Sequence, residues 1–156
     1  MAAISNFVAV RGNDDPSSRK WYPIGDSIMK RILVVDDEDD LRDFLTEALQ
    51  EQGYSVIQAR NGREAFRVFK SNRVDLVITD IYMPEEDGLG LMRLLRTVAP
   101  RVRIIAMSGG GSSVGMDFLP KARELGAMSI LPKPIAVADL WATVKTVLTM
   151  PCGQKL

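Results

Sequence analysis

Acidic residues close two apolar runs of this chain, and a lysine closes a third. Asp36 and Asp37 follow Ile32-Leu33-Val34-Val35, Asp80 ends the run from Val74 to Thr79, and Lys133 follows Ala127 to Leu131. Short apolar runs of this kind read as strands buried on both faces of a parallel sheet. Residues at the C-terminal ends of such strands gather at one edge of the sheet, where ligands bind. Three carboxylates there would collect a hard divalent cation, and a lysine would answer an anion. Together they point to phosphoryl chemistry on a carboxylate. A plainer reading exists for an acidic pair after a strand: a solvated loop or a helix start, where negative charge is favourable. Asp37 or Asp39 fits that role. Asp80 ends a second strand, however, and Met83-Pro84 forces a turn before Asp87-Gly88. Lys133 sits in a rigid turn between Pro132 and Pro134. If the first and third strands are neighbours, all four charges share one crevice.

The elements that must position these residues are regularly punctuated. Strand-like stretches run over 31–35, 54–59, 74–79, 102–107 and 127–131. A helix follows each one. The first carries Leu41, Phe44, Leu45, Ala48 and Leu49 and stops at Gly53. The second is capped by Asn61 and carries Ala65, Phe66, Val68 and Phe69. The third spans Gly88 to Val98, with Leu91, Leu94, Leu95 and Val98, and ends at Pro100. Pro120 interrupts the fourth, which is predicted to begin only near Leu119 with the proline in its first turn. That leaves a long connection holding Met116 and Phe118. The fifth spans Ile135 to Leu148, with Leu140, Val144, Val147 and Leu148 inward, and Trp141 falls one position off this stripe as a partly exposed surface residue or an interface anchor. Five strand–helix alternations predict an α/β fold: a five-stranded, doubly wound parallel sheet covered on both faces.

Composition narrows the function. The 156 residues hold 20 basic and 20 acidic side chains, so no basic field for nucleic acid or anionic lipid is expected. The apolar runs are too short for a bilayer span or a secretory signal, which makes a cytoplasmic location the expectation. Cys152 is the only cysteine and reads as an inert tail thiol. There is no histidine, which excludes Ser-His and Cys-His nucleophile pairs and His-ligated zinc. A phosphate arriving from a histidine must come from another protein. Residues 1–28, with turn formers from Gly12 to Ser18 and an aromatic island at Trp21-Tyr22, read as a flexible N-terminal extension or an arm anchored by those rings. Residues 29–150 form the domain, 151–156 a C-terminal tail, and Met29 is an alternative native start.

The segments Ile32-Leu33-Val34-Val35-Asp36-Asp37-Glu38, Asp80 to Gly88, Met107-Ser108-Gly109 and Leu131-Pro132-Lys133-Pro134 resemble those of response-regulator receiver domains. The resemblance covers about residues 30–150, with its motifs in order and on the matching elements. CheY, a member of this family, has the strand order 2-1-3-4-5, so that order stands with the resemblance rather than beside it. The resemblance implies that Asp80 accepts a phosphoryl group from a phosphohistidine. It implies Asp36, Asp37, Asp80 and the main-chain carbonyl of Tyr82 as ligands of Mg2+. Ser108 would bond a phosphoryl oxygen, and Lys133 would pair with the phosphate. The implied partners are a sensor histidine kinase or histidine phosphotransfer protein and a downstream protein. A weak homodimer through the face of the fourth helix, fifth strand and fifth helix also belongs to the expectation. A stand-alone receiver follows, one that catalyses only its own phosphorylation and dephosphorylation.

Two features depart from the family pattern. Ile130 occupies the position, three before the lysine, where an aromatic ring often acts as a switch. Gly109-Gly110-Gly111-Ser112-Ser113 is unusually permissive and reads as a flexible linker or as a loop that moves with Ser108; no Gly-Lys-Ser/Thr follows it, so it is not a phosphate-binding P-loop. Two other functions compete. One is a degenerate receiver that binds proteins without phosphate. The other is a phosphatase with an aspartyl intermediate, but its acid two residues beyond the nucleophile is here Tyr82.

Overall fold

The computed structural model describes residues 29–83, 88–109 and 118–152, and the backbone of two strands ahead of them. Those two strands are β1 (Phe7–Gly12) and β2 (Asp15–Pro23), paired antiparallel with Ala9 opposite Trp21 and Gly12 opposite Asp15. Both strands fall within residues 1–28, the expected N-terminal extension, and the turn-former cluster begins with Gly12 at the end of β1. Phe7, Val8, Val10, Trp21 and Tyr22 are β-branched or aromatic types that suit strands.

The domain proper follows the predicted alternation. Its elements are β3 (Arg31–Val35), α1 (Asp39–Glu51), β4 (Ser55–Ala59), α2 (Gly62–Ser71), β5 (Leu76–Asp80), α3 (Gly88–Val98), β6 (Arg103–Gly109), α4 (Leu119–Glu124), β7 (Ser129–Lys133) and α5 (Val137–Thr149). All five strands are parallel, in the order β4-β3-β5-β6-β7, the expected 2-1-3-4-5. β3 lies against β5 with Val35 beside Thr79, and β5 against β6 with Asp80 beside Met107.

Alternate side chains of each strand enter separate cores. Leu33, Val35, Val77, Ile104 and Ala106 pack with Ala65 of α2, Leu91 and Leu95 of α3 and Ala122 of α4. Ile32, Val34, Ile78, Ile105 and Met107 pack with Leu45 and Leu49 of α1 and Leu140 and Val144 of α5. Most of these side chains have no exposed surface. Each large one contributes about 1.5–3 kcal/mol on burial. Burial on both faces explains why the strands read as unbroken apolar runs rather than alternating ones.

Local signals set the helix ends. The Asn61 side chain accepts the Glu64 N–H at 2.8 Å, satisfying an orphan donor of α2. Gly53, two residues past α1, takes φ +83°, the left-handed conformation that closes a helix. α4 begins at Leu119 with Pro120 in its first turn, as predicted. The connection before it, residues 110–117 with Met116, lies outside the described residues.

Some inward assignments need correction. Phe44 is 39% exposed, Leu94 40% and Val98 51%, although all three lie on the predicted apolar stripes. On α3 the expected Leu91 and Leu95 are buried, and Gly88, Leu89 and Met92 join them in place of Leu94 and Val98. Trp141 is half-buried, and its indole N–H donates to the Ala48 carbonyl at 2.8 Å. Its ring therefore ties α5 to α1 and is turned away from α4, which packs in the other core.

Candidate functional site

Topology brings the predicted charges to one edge of the sheet. Asp36 directly follows β3, Asp80 ends β5, Ser108 lies near the end of β6, and Lys133 ends β7. Asp36, Asp80 and Ser108 are buried, whereas Asp37 is exposed. One carboxylate oxygen from each of Asp36, Asp37 and Asp80 falls within 4.8 Å of the others.

Lys133 reaches across two strands into this cluster. Its ammonium donates to Asp36 Oδ2 at 2.8 Å and to Asp80 Oδ2 at 2.9 Å. The Lys133–Pro134 peptide bond is cis. The other oxygens are held by the main chain. The Tyr82 N–H donates to Asp80 Oδ1 at 3.1 Å, and the Glu38 N–H to Asp36 Oδ1 at 2.9 Å. Both carboxylates are thus oriented from two sides.

Electrostatics inside the cluster is unbalanced. Burial lifts the Asp80 carboxyl above its ordinary value, against the Lys133 hydrogen bond, the Lys133 charge and the Tyr82 N–H, and the Asp36 charge adds to the lift. Burial alone would lower the Lys133 ammonium, but its bonds to Asp36 and Asp80 outweigh this and hold it above the ordinary lysine value. One ammonium therefore faces three carboxylates, and the site lacks positive charge. Its donors are all oxygen and closely spaced, which suits a hard divalent cation such as Mg2+.

Two residues that shape the site carried no assigned role in the sequence. Arg42, in the first turns of α1, donates from Nη1 to the Asp36 carbonyl at 2.8 Å and pairs with Asp39. It braces the backbone that bears the acidic pair. The signal was an arginine three residues after Asp39 on a helix, a spacing that puts both on one face. Gly88 starts α3 against the end of β5: a β-carbon there would stand 1.8 Å from the Asp80 carbonyl oxygen. Its N–H donates to the Ile81 carbonyl at 3.2 Å, closing the loop that begins at Asp80. Ser108 Cα pairs with that of Pro132, one residue before Lys133, so the strand register sets the hydroxyl-bearing residue beside the lysine turn. Ile130 is half-buried against the α2–α4 core. Tyr82 is 58% exposed, and its ring meets that of Phe118 edge to face, with centroids 5.5 Å apart at 70°. Among the described residues, no helix is long and apolar enough to cross a membrane.

Comparison with known proteins agrees with this arrangement. The family described as response regulator receiver domain matches residues 32–145. Sporulation initiation phosphotransferase F of Bacillus subtilis (strain 168) is 31% identical over 121 residues, covering 78% of this chain and 95% of that protein. Response regulator MprA of Mycolicibacterium vanbaalenii is 38% identical over 118 residues, which is 76% of this chain but 50% of that protein. For the sensor kinase CckA of Brucella abortus the matched part is 12% of its length. The chain thus spans nearly all of one relative and only a part of the others. Among solved structures, a receiver domain protein from Clostridium thermocellum superposes with a TM-score of 0.71 at 30% identity, covering 77% of this chain and 94% of that one. The chemotaxis response regulator CheY4 of Vibrio cholerae gives 0.70 at 28%, covering 76% and 98%.

Proposed function

Because this chain belongs to the response regulator receiver domains of two-component systems, we propose that it accepts a phosphoryl group from a phosphohistidine of a partner protein onto Asp80. The juxtaposition of three carboxylates with Lys133 carries this reading. An Asp80 carboxylate oxygen attacks phosphorus, an O–P bond forms, and the P–N bond breaks. The leaving imidazole nitrogen keeps the electron pair and takes up a proton. The chain has no histidine, so the donor is a histidine kinase or a histidine phosphotransfer protein.

Each residue has a task in that transfer. The Tyr82 N–H and the Lys133 ammonium fix the two oxygens of Asp80, so the nucleophile meets phosphorus already oriented. Lys133 is released from a carboxylate as the phosphoryl oxygens arrive and pairs with them as a compact charge. Ser108, buried at the adjacent strand end, donates its hydroxyl to a phosphoryl oxygen. Asp36, Asp37, Asp80 and the Tyr82 carbonyl would hold Mg2+, which supplies charge neutralisation and oxygen coordination when bound. The dianionic group added to Asp80 then changes a protein-binding surface.

Radiolabelled acetyl phosphate or a cognate kinase in Mg2+ tests this directly. Wild type becomes labelled and Asp80→Asn does not. Equal labelling of the two proteins would remove Asp80 as the acceptor.

A further inference from the structure

We propose that the ring contact between Tyr82 and Phe118 couples the state of the Asp80 carboxylate to the first turn of α4. Phe118 is the residue that delivers the change. The coupling rests on Asp80 being the phosphoryl acceptor.

Tyr82 is attached at both ends. Its main-chain N–H is bound to Asp80 Oδ1, and its ring packs with that of Phe118 in a T-shaped pair. A phosphoryl group on Asp80 competes for that N–H and for the Lys133 bond on the other oxygen. The backbone of Tyr82 is thus the main-chain neighbour whose bonding changes directly when Asp80 is modified. Its ring is free to follow, since 58% of the residue is exposed. Beside the pair lies a cavity of about 200 Å3 lined by Ile81, Tyr82, Met83, Leu89 and Phe118. The rings have room to shift without displacing the packed strands.

Phe118 stands at the receiving end. It is the residue before α4, and its carbonyl accepts the Ala122 N–H at 2.9 Å, the first bond of the helix. α4 has six residues and no side-chain cap at its start. A helix this short is marginal on its own and depends on its packing, so a shift of Phe118 changes how firmly its first turn is held. Phe118 also packs against the same core as Ile130. The aliphatic Ile130 has no ring to rotate, and the Tyr82–Phe118 pair supplies rings, one of them two residues from Asp80.

Hydrogen exchange on the full chain in Mg2+, with and without beryllofluoride as phosphoryl mimic, reads this out. The amides of Ala122, Leu125 and Ala127 close the turns of α4 onto Phe118, Lys121 and Ala122. In wild type their exchange should change by about fivefold or more on adding the mimic, the lower end of ordinary coupling between sites. In Phe118→Ala and Phe118→Leu the change should fall below about twofold, while the Tyr82 amide still responds. Phe118→Tyr, which keeps the ring, should restore the α4 response. Unchanged exchange at Ile104 and Ile105 in each variant identifies a folded domain. Full α4 responses in folded Phe118→Ala and Phe118→Leu would overturn the coupling and leave the acceptor assignment standing. If wild type shows no response even at the Tyr82 amide, the acceptor assignment fails and the coupling fails with it.

Discussion

Two partly buried cations bridge distant segments of this domain, at opposite edges of the same sheet, and they do so with opposite chemistry. At the C-terminal edge, Lys133 is shared by the carboxylates of Asp36 and Asp80. At the N-terminal edge, Arg96 of α3 donates, among the described residues, only to main-chain carbonyls: Leu125 at 2.9 Å, Gly126 at 2.8 Å, Pro100 at 2.8 Å and Val102 at 2.9 Å. Burial lowers the Arg96 guanidinium from its ordinary value, and no anion among the described residues offsets that. Lys133 moves the other way because two anions do. Four carbonyl dipoles satisfy the donors of Arg96 and solvate its charge in place of water, so its hydrogen bonding is complete as it stands. The Lys133 edge keeps an excess of negative charge. One is a fastening and the other is a site.

The largest effect expected from this contrast is on stability. Arg96→Met strips four carbonyls of their donors and should cost about 2–4 kcal/mol by urea unfolding. It should leave Mg2+ affinity, measured by calorimetry, within about twofold of wild type. A loss of Mg2+ affinity as large as the loss of stability would break the contrast. Second, Mg2+ at about one hundred times its dissociation constant should stabilise the wild type by about 2.7 kcal/mol, by mass action on the folded state. Arg96→Met should keep that increment, and Asp37→Asn should lose most of it. An unchanged increment in Asp37→Asn would remove this residue from the metal set.

The smallest effect concerns Asp80 itself, without Mg2+. Its carboxyl lies above the ordinary 3.8 in the folded protein, so the folded state binds the proton more tightly than the unfolded one. Its contribution to stability therefore falls as pH rises through the window just above that value. Lys133 is raised above 10.5 and keeps its contribution throughout the acidic and neutral range. Asp80→Asn removes the ionised carboxylate and should raise the neutral-pH Tm by about 2–4 °C, what about 1 kcal/mol gives at this length. It should also flatten the decline on leaving acid. A lower Tm in Asp80→Asn would mean that the Lys133 bond outweighs burial.

The legible parts of this molecule were those set by local chemistry. Buried strands announce themselves as apolar runs, Asn61 and Gly53 mark helix ends, and Pro120 marks the start of α4. The converging charges could be found because a parallel alternation sends every strand's C-terminus to one edge. What stayed hidden depends on which segments meet across the fold. Arg96 reads as a surface arginine until Leu125 and Gly126, some thirty residues on, are folded beneath it. Phe44, Leu94 and Val98 have the helical spacing of core residues, yet each stays more than a third exposed. Trp141 looked off-stripe because the stripe ignores the reach of an indole to the next helix. The ribbon of β1 and β2 was obscured by its turn formers, which mark a hairpin tip as readily as a flexible arm.

The contact between Gly88 and the Asp80 carbonyl has a genetic corollary. Every amino acid reachable from a glycine codon by a single base change carries a β-carbon, and at position 88 that carbon would occupy space already filled by the main-chain oxygen of Asp80, 1.8 Å away. The codon is therefore free to drift only where the change is synonymous. Its amino acid is held in place by the backbone of the residue eight positions before it.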